Sequence, residues 1–490
     1  MAFSRNAGIN FPILLRVVGW LLLIECIFLL VPLVTCLIYD ENDWKWFAIT
    51  IAATFVCGLG MTFIRPRRKD MAKREGFLLT ALVWVAFSIF GMIPFMLMDH
   101  PLNISESFFE TMSGFTTTGA TVFNSISHLS HGIIIWRSVM QWIGGMGIIL
   151  FTLAVIPMLN NTGGMQMFNA EVTGITHDKL RPRVSQTAKG LWIIYIILTI
   201  LLFALLVIGP MKPFEAICHA FSVMSTGGFS TEDASIAAWK SDYITIVLTV
   251  FMFLGGVSFS LLFRASQGDF RAAWHNDIFR AYLRIILVVY LMFVAAIVIN
   301  GQAYSIKSVT LDPLFMIVST ITSTGYVVTN FENWGTFALS LVFAMMFFGA
   351  CAGSTSGGAK IDRLIYLLKY CRNEIYRCLH QNRIYSVRVN QRVIPADTVS
   401  KVVAFLCLYV LVIIIGGMLL SALGVPLVDA FFSAFSCISN TGLGAGVTGY
   451  GGSYDIIPDA GKWILSLIML TGRLEVYTIL LIFTTAFWKK

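Results

Sequence analysis

Four short segments of the sequence share a Thr-Gly pair next to small hydroxylic or amide side chains: Thr116-Thr117-Thr118-Gly119-Ala120, Ser225-Thr226-Gly227-Gly228, Ser323-Thr324-Gly325-Tyr326 and Ser439-Asn440-Thr441-Gly442-Leu443. The chemistry open to such loops is that of the peptide carbonyl. Four sets of carbonyl oxygens turned to a common axis could exchange for the water oxygens of a partly dehydrated monovalent cation. Glycine permits the backbone dihedrals this needs, including positive φ, and the preceding Thr, Ser or Asn can brace the loop with side-chain hydrogen bonds.

The elements that must position these loops recur with them. Each loop closes a short apolar stretch, near 105–116, 214–224, 312–322 and 429–438, that can cross a bilayer only in part and is expected to be re-entrant. The glycines Gly119, Gly227, Gly325 and Gly442 lie 108, 98 and 117 residues apart, too far for a solenoid, so each unit is a substructure of its own. Thirteen residues before them stand Glu106, Phe214, Asp312 and Asp429, with Glu215 one place later in the second copy. An acid there suits the first turn of a helix, where the dipole favours negative charge. Small-residue clusters follow as Gly144-Gly145-Met146-Gly147, Gly255-Gly256-Val257-Ser258, Gly349-Ala350-Cys351-Ala352 and Thr471-Gly472-Arg473-Leu474. One Thr-Gly pair means nothing, and small residues simply let membrane helices approach. Four copies in the same context are a repeat of helix, short helix, loop and helix.

Composition places the repeat in lipid. Of 490 residues 57% are hydrophobic and 12% charged, about half the charge of a soluble protein. Apolar runs predict ten helices, near 12–39, 44–64, 76–98, 133–157, 188–209, 241–263, 278–300, 336–350, 398–424 and 462–487. With a cytoplasmic N-terminus and four re-entrant stretches, 27 of the 34 Lys and Arg fall inside and six outside, with Arg473 within a helix. That asymmetry sets the orientation, with both termini cytoplasmic. The basic residues are scattered between apolar runs and form no aromatic-interleaved patch, so the net charge of +8 points to topology and no nucleic acid is expected. Nine cysteines without a CxxC pair are expected to be reduced packing residues, and the first apolar run, about Pro12 to Tyr39, to be a retained helix.

Two features below the loops stand out. The third unit's second helix runs into Gly349-Ala350-Cys351-Ala352-Gly353-Ser354-Thr355-Ser356-Gly357-Gly358-Ala359-Lys360, too rich in glycine and hydroxyls for a stable helix. It lacks the Walker spacing and a preceding strand, so it reads as a flexible intramembrane loop. Arg473, about eleven residues inside the last apolar helix, would cost roughly 2.5 to 3.5 kcal/mol facing lipid and must face protein or water. By the small-residue register it takes the place of Met146, Val257 and Cys351, beneath the loops, as a positive barrier and an anchor for residues Gly353 to Gly358. Glu25, in a peripheral helix, reads as a packing or snorkelling residue.

These loops, their spacing, the small-residue clusters and the intramembrane arginine make the chain resemble the Trk/Ktr/HKT superfamily of potassium transporters, closest to the bacterial Trk-type potassium-translocating membrane subunit, over nearly its whole length. The resemblance implies an all-α polytopic membrane protein with four pseudo-symmetric helix–pore-helix–helix repeats around a central ion pore, preceded by an extra N-terminal helix pair. The divisions are 1–75, 76–157, 158–263, 264–397 and 398–490. It implies a potassium selectivity filter of one glycine per repeat, formed by Thr117, Thr118, Gly119, Ser225, Thr226, Gly227, Ser323, Thr324, Gly325, Asn440, Thr441 and Gly442. By the resemblance the potassium sites would be at Thr118, Gly119, Thr226, Gly227, Thr324, Gly325, Thr441 and Gly442. Plant relatives with serine at the first filter position carry sodium, so Gly119 favours potassium.

The gate would be Gly353, Ser354, Thr355, Ser356, Gly357, Gly358 and Arg473. The resemblance also implies a homodimer in the bacterial cytoplasmic (inner) membrane, in contact with membrane lipid and a cytoplasmic nucleotide-binding regulatory subunit. NAD or ATP would bind that partner, since this chain has no nucleotide motif, and the basic segment from Lys360 to Lys401, expected to continue the broken helix, is either a docking surface or a solvated amphipathic face. Two other classes compete. A proton- or sodium-coupled potassium symporter needs midplane groups that change charge, and few besides Arg473 and Glu475 exist. A membrane enzyme needs a catalytic set, and the seven histidines are dispersed without one, so no enzyme is expected.

Overall fold

In lipid, backbone amides must pair within their own segment, so long apolar runs fold as helices. The computed structural model describes residues 9–66, 71–147, 184–301, 305–380, 385–449 and 451–489, and these are overwhelmingly helical. Helices α1 (Phe11–Ile38) and α2 (Trp44–Thr62) pack along each other, crossing where a Cβ on Gly19 would stand 2.7 Å from the Gly58 carbonyl oxygen. Twelve further helices form four groups of three: α3 (Lys73–Gly91), α4 (Ile104–Phe115) and α5 (His131–Gly145); α6 (Val184–Ile208), α7 (Pro213–Met224) and α8 (Asp242–Gly256, continued after a bend by α9, Phe259–Ser266); α10 (Asp277–Ile299), α11 (Ile306–Ile321) and α12 (Thr336–Phe348); then, beyond α13 (Ile361–Leu379), α14 (Ala396–Ala422), α15 (Leu427–Ser439) and α16 (Asp459–Arg473), followed by α17 (Glu475–Ile482).

The middle helix of each group packs on both of its own companions and on the last helix of the group before it. Thus α5 packs on α7, α8 on α11, α12 on α15, and α16 on α4. The circuit therefore closes, with the fourth group against the first. Caps fix where the short helices begin: Asn103 accepts from the Glu106 amide while Glu106 reaches back to the Asn103 amide at 3.0 Å. Asp429 lies in the first turn of α15 and Glu215 in that of α7. Asp312 does not, because α11 starts at Ile306 with Ser305 as its cap and carries Pro313 inside it.

Six described helices are long and apolar enough to cross a membrane, or seven with α8 and α9 joined, against the ten expected. The difference is that the last helix of every group breaks at a corresponding place, where only the third was expected to. Helix α5 ends at Gly145 and Gly147 takes φ 66°, α8 turns through 105° into α9, α12 stops before Gly349 at φ 62°, and α16 stops before Glu475 at φ 55°. The rest of the stretch expected as helix to 157, and the segment to 183, lie outside the described residues. The basic segment after Lys360 is not one continued helix either, since Arg388–Val389 pairs antiparallel with Arg392–Val393 across Asn390 and Gln391, both at positive φ. All nine cysteines are free, five of them buried.

The breaks coincide with close backbone approach. A Cβ on Gly144 would collide with the Phe115 carbonyl at the end of α4, and one on Gly472 with the Ile438 carbonyl near the end of α15. Gly472→Ala is therefore expected to destabilise the fold by about 1 to 3 kcal/mol. Gly60→Ala, inside α2 with nothing within 4 Å of the added carbon, should raise stability by up to about 1 kcal/mol. Thermal midpoints of the detergent-purified variants check this pair.

Candidate functional site

Each short helix ends in the same way. A residue one or two places past the helix hydrogen-bonds backward at Thr117 N to Gly114 O (3.0 Å), Thr226 N to Val223 O (2.9 Å), Ser323 N to Thr320 O (3.0 Å) and Asn440 N to Cys437 O (3.3 Å). The next amide reaches one residue further back: Thr118 N to Ser113 O, Gly227 N to Ser222 O, Thr324 N to Ser319 O and Thr441 N to Ser436 O, all 2.8 to 3.0 Å. This is the Schellman pattern, and it demands a left-handed residue, here Thr117, Thr226, Ser323 and Asn440 at φ 51° to 56°. A second left-handed residue follows two places on, and it is Gly119, Gly228, Gly325 and Gly442, at φ 75° to 84°.

The second loop is therefore one residue out of the register that pairs Gly227 with Gly119. Gly228 is the equivalent glycine, Gly227 matches Thr118, Thr324 and Thr441, and Thr226 matches Thr117. With Gly228 the acids thirteen residues earlier become Glu106, Glu215, Asp312 and Asp429 without exception.

The four loops meet. A Cβ on Gly119 would strike the Gly227 carbonyl oxygen, one on Gly228 that of Thr324, one on Gly325 that of Thr441, and one on Gly442 that of Thr118. Every contact joins one loop to the next and the last returns to the first. The loop side chains Thr117, Thr118, Ser225, Thr226, Ser323, Thr324, Asn440 and Thr441 are all buried. In three loops two hydroxyls pair across the loop, Thr116 with Thr118 (2.8 Å), Thr322 with Thr324 (2.8 Å) and Ser439 with Thr441 (2.9 Å). In the second, Gly227 has no hydroxyl. The Gln141 amide of α5 lies there, donating from Nε2 to Gly227 O (2.7 Å) and accepting at Oε1 from Ser222 Oγ (2.7 Å) and Phe229 N (3.2 Å).

Residues Gly349 to Lys360 are tied to three of the four groups. Thr355 Oγ1 donates to Met224 O (3.2 Å) or Gly255 O (3.2 Å), Gly357 N to Ser323 Oγ (2.5 Å) and Gly358 N to Ser439 O (3.0 Å). Gly353 O accepts from Phe259 N at 2.9 Å. Ser354 Oγ and Ser356 Oγ stand 2.9 Å apart, and Lys360 Nζ folds back onto Ser356 O. Arg473 supplies the link to the first group, donating to Thr355 O (3.0 Å), Gly145 O (3.0 Å) and Gly144 O. Because Gly472 abuts Ile438 O as Gly144 abuts Phe115 O, Arg473 matches Gly145, one place from the expected Met146 register.

Known proteins resemble the chain over nearly its whole length. The family described as TrkH, cation transport protein, matches residues 44–490. The chain belongs to that TrkH family. Its relatives include the Trk system potassium uptake protein TrkH of Escherichia coli K12, 35% identical over 489 residues, and that of Salmonella typhimurium, 34% identical over 485. Each comparison covers 98% of this chain and 100% of the relative. The crystal structure of the potassium transporter TrkH from Vibrio parahaemolyticus superposes with a TM-score of 0.89 at 31% identity, covering 98% of this chain and all of that one. The family is one of transporters, not enzymes.

In this TrkH-family chain several supporting residues carry no motif. Serines six places before each left-handed glycine, Ser113, Ser222, Ser319 and Ser436, form a register of their own that also fixes Gly228. Ser113 donates to Ala120 O (2.6 Å) and Ser319 to Tyr326 O (2.7 Å), each bracing the residue after the glycine. Behind the first loop, Arg137 Nε meets Glu110 at 2.8 Å, both fully buried, while Val122 N and Thr121 Oγ1 donate to Glu110 at 3.0 and 3.1 Å. Buried Lys462 of α16 meets Glu106 of α4 at 2.9 Å, closing the fourth group onto the first. On the loop after the second glycine, partial burial and the nearby Glu215 and Asp233 push the Glu232 carboxyl above its usual range, a local concentration of acid.

Breaking the buried pair leaves an uncompensated charge. Arg137→Met is expected to cost about 3 to 5 kcal/mol, and Arg137→Met with Glu110→Gln much less. Thermal unfolding of the single and double variants in detergent measures the difference.

Proposed function

We propose that the chain takes up potassium across the bacterial cytoplasmic membrane by channel-like passage between the four loops. The observation that carries this reading is the closed circuit of glycine-to-carbonyl contacts, since four backbone segments meeting inside a membrane protein expose carbonyl oxygens that a monovalent cation can use in place of water. The filter is then Thr117 to Gly119, Thr226 to Gly228, Ser323 to Gly325 and Asn440 to Gly442, with Ser225 supporting the second loop through Phe221 O (2.8 Å). Family membership and relatives named as potassium uptake proteins favour potassium as the ion.

The segment Gly353 to Gly358, held by Arg473, acts as the gate. A unit charge about 6 Å from a passing cation, at an effective dielectric of about 20, opposes it by about 3 kcal/mol. The orientation has both termini cytoplasmic, and α13 bears exposed Leu368, Ile375 and Leu379, a surface suited to a second copy or a nucleotide-binding regulatory partner.

A coupled symporter is the second reading. It needs a group that can change charge inside the membrane, and Glu25 of α1 is fully buried with no hydrogen-bond partner among the described residues on either carboxylate oxygen. Channel-like passage requires neither a proton gradient nor Glu25.

In proteoliposomes, potassium and rubidium should pass and sodium should pass far less; equal sodium and potassium flux would defeat the potassium assignment. Arg473→Ala should raise leak flux by about tenfold to a hundredfold, the range a barrier lowered by about 1.4 to 3 kcal/mol gives. Flux that collapses in Glu25→Gln or follows an imposed pH gradient would select the symporter.

A further inference from the structure

We infer that Gln141 is a positioning residue for cation discrimination: its amide takes the place of the threonine side chain that the second filter loop lacks. The inference rests on the reading of the four loops as a filter and concerns the one loop that departs from the pattern. Three loops carry Thr118, Thr324 and Thr441 at the position before the left-handed glycine, each with its hydroxyl paired within the loop. The second carries Gly227, whose backbone is not left-handed, so its own dihedrals do not call for glycine. What excludes a side chain there is Gln141: a Cβ on Gly227 would fall upon the amide carbon, oxygen and nitrogen of that residue.

Gln141 is fully buried, and three hydrogen bonds fix its amide. Nε2 holds the Gly227 carbonyl, the oxygen against which Gly119 of the first loop packs. Oε1 is held by Ser222, the member of the serine register in this loop, and by the amide of Phe229, just past Gly228. One side chain from the first group therefore sets the second loop on both sides of its glycine pair, and also the oxygen at the junction of the two loops. In two of the other loops Ser113 and Ser319 bond to the carbonyl after the glycine, whereas Ser222 is turned to Gln141. The second loop has exchanged local support for support from its neighbour.

The exchange is reciprocal, so it can be tested by reversing it. Gln141→Ala leaves Gly227 without a brace, and Gly227→Thr alone collides with the amide; each should lower the potassium-to-sodium flux ratio in proteoliposomes by about tenfold, the effect of one lost buried hydrogen bond. Gln141→Ala together with Gly227→Thr clears the space and restores the hydroxyl beside Ser225, and should recover the wild-type ratio. Gln141→Met keeps the length of the side chain and removes the donor to Gly227 O without adding a charge or a new donor, so it should lose the ratio. It serves as the reading where the alanine variant fails to fold.

Folded single variants with the wild-type ratio, or a double variant no better than its singles, would overturn the inference and leave the filter reading standing. A wild-type protein that passes sodium as readily as potassium would overturn both.

Discussion

The arrangement depends on carbonyl oxygens of one loop lying against the bare α-carbon of the next. At Gly119, Gly228, Gly325 and Gly442 there is no room for a single methyl group, and the same residues carry the left-handed dihedrals. Steric and conformational demands thus fall on one position per loop, and glycine answers both. Neighbouring Thr117, Thr226, Ser323 and Asn440 have no such freedom, and a left-handed conformation costs residues of this kind of order 1 to 3 kcal/mol each. Their surroundings hold them there through the Schellman hydrogen bonds and short side-chain contacts such as Ser323 Oγ to Thr322 O at 2.7 Å and Asn440 Nδ2 to Thr118 Oγ1 at 3.0 Å.

Close packing of backbone on backbone also accounts for the broken helices. Where Gly144 and Gly472 meet the ends of short helices, the long helices must be bare of side chains, and beyond those points they lose their helical course. The carbonyls freed at the breaks are put to use: Gly144 O and Gly145 O accept from Arg473, Gly255 O from Thr355, and Gly256 O from Cys351 N at 3.1 Å. Arg363, in the first turn of α13, donates to Glu475 at 2.5 Å, so the left-handed residue at the fourth break is ion-paired to the helix that leaves the third. The segment under the loops is thereby joined to α13, the helix that follows it.

Much of this was legible in the amino acids. Apolar length located α1, α2, α10 and α14 to within about two residues, because lipid admits so few alternatives to helix. Recurrence located the four short helices and their loops, and the cost of charge in lipid marked Arg473. The second loop's register went astray because Thr-Gly was aligned as a word, when the constraint lies in backbone dihedrals that a word does not encode. Glu215 and Ser222 both held the correct register at fixed distance from Gly228. Gln141 and the Glu110–Arg137 pair left no such trace: their importance comes from what lies across a helix interface, and single polar residues in an apolar stretch look alike until their partners are known. The breaks in α5, α8 and α16 were hidden for a related reason, since each follows small residues that elsewhere merely allow helices to cross.

All four units sit on one polypeptide, and Arg473 has no basic counterpart, Gly145 and Gly256 standing where it stands. An assembly of four identical subunits could not be built this way. Any substitution would appear four times around the axis, and four guanidinium groups crowded at one level would repel one another and bar every cation. Four units on one polypeptide escape that rule, so a single guanidinium can stand at one place in the circuit without three copies of it.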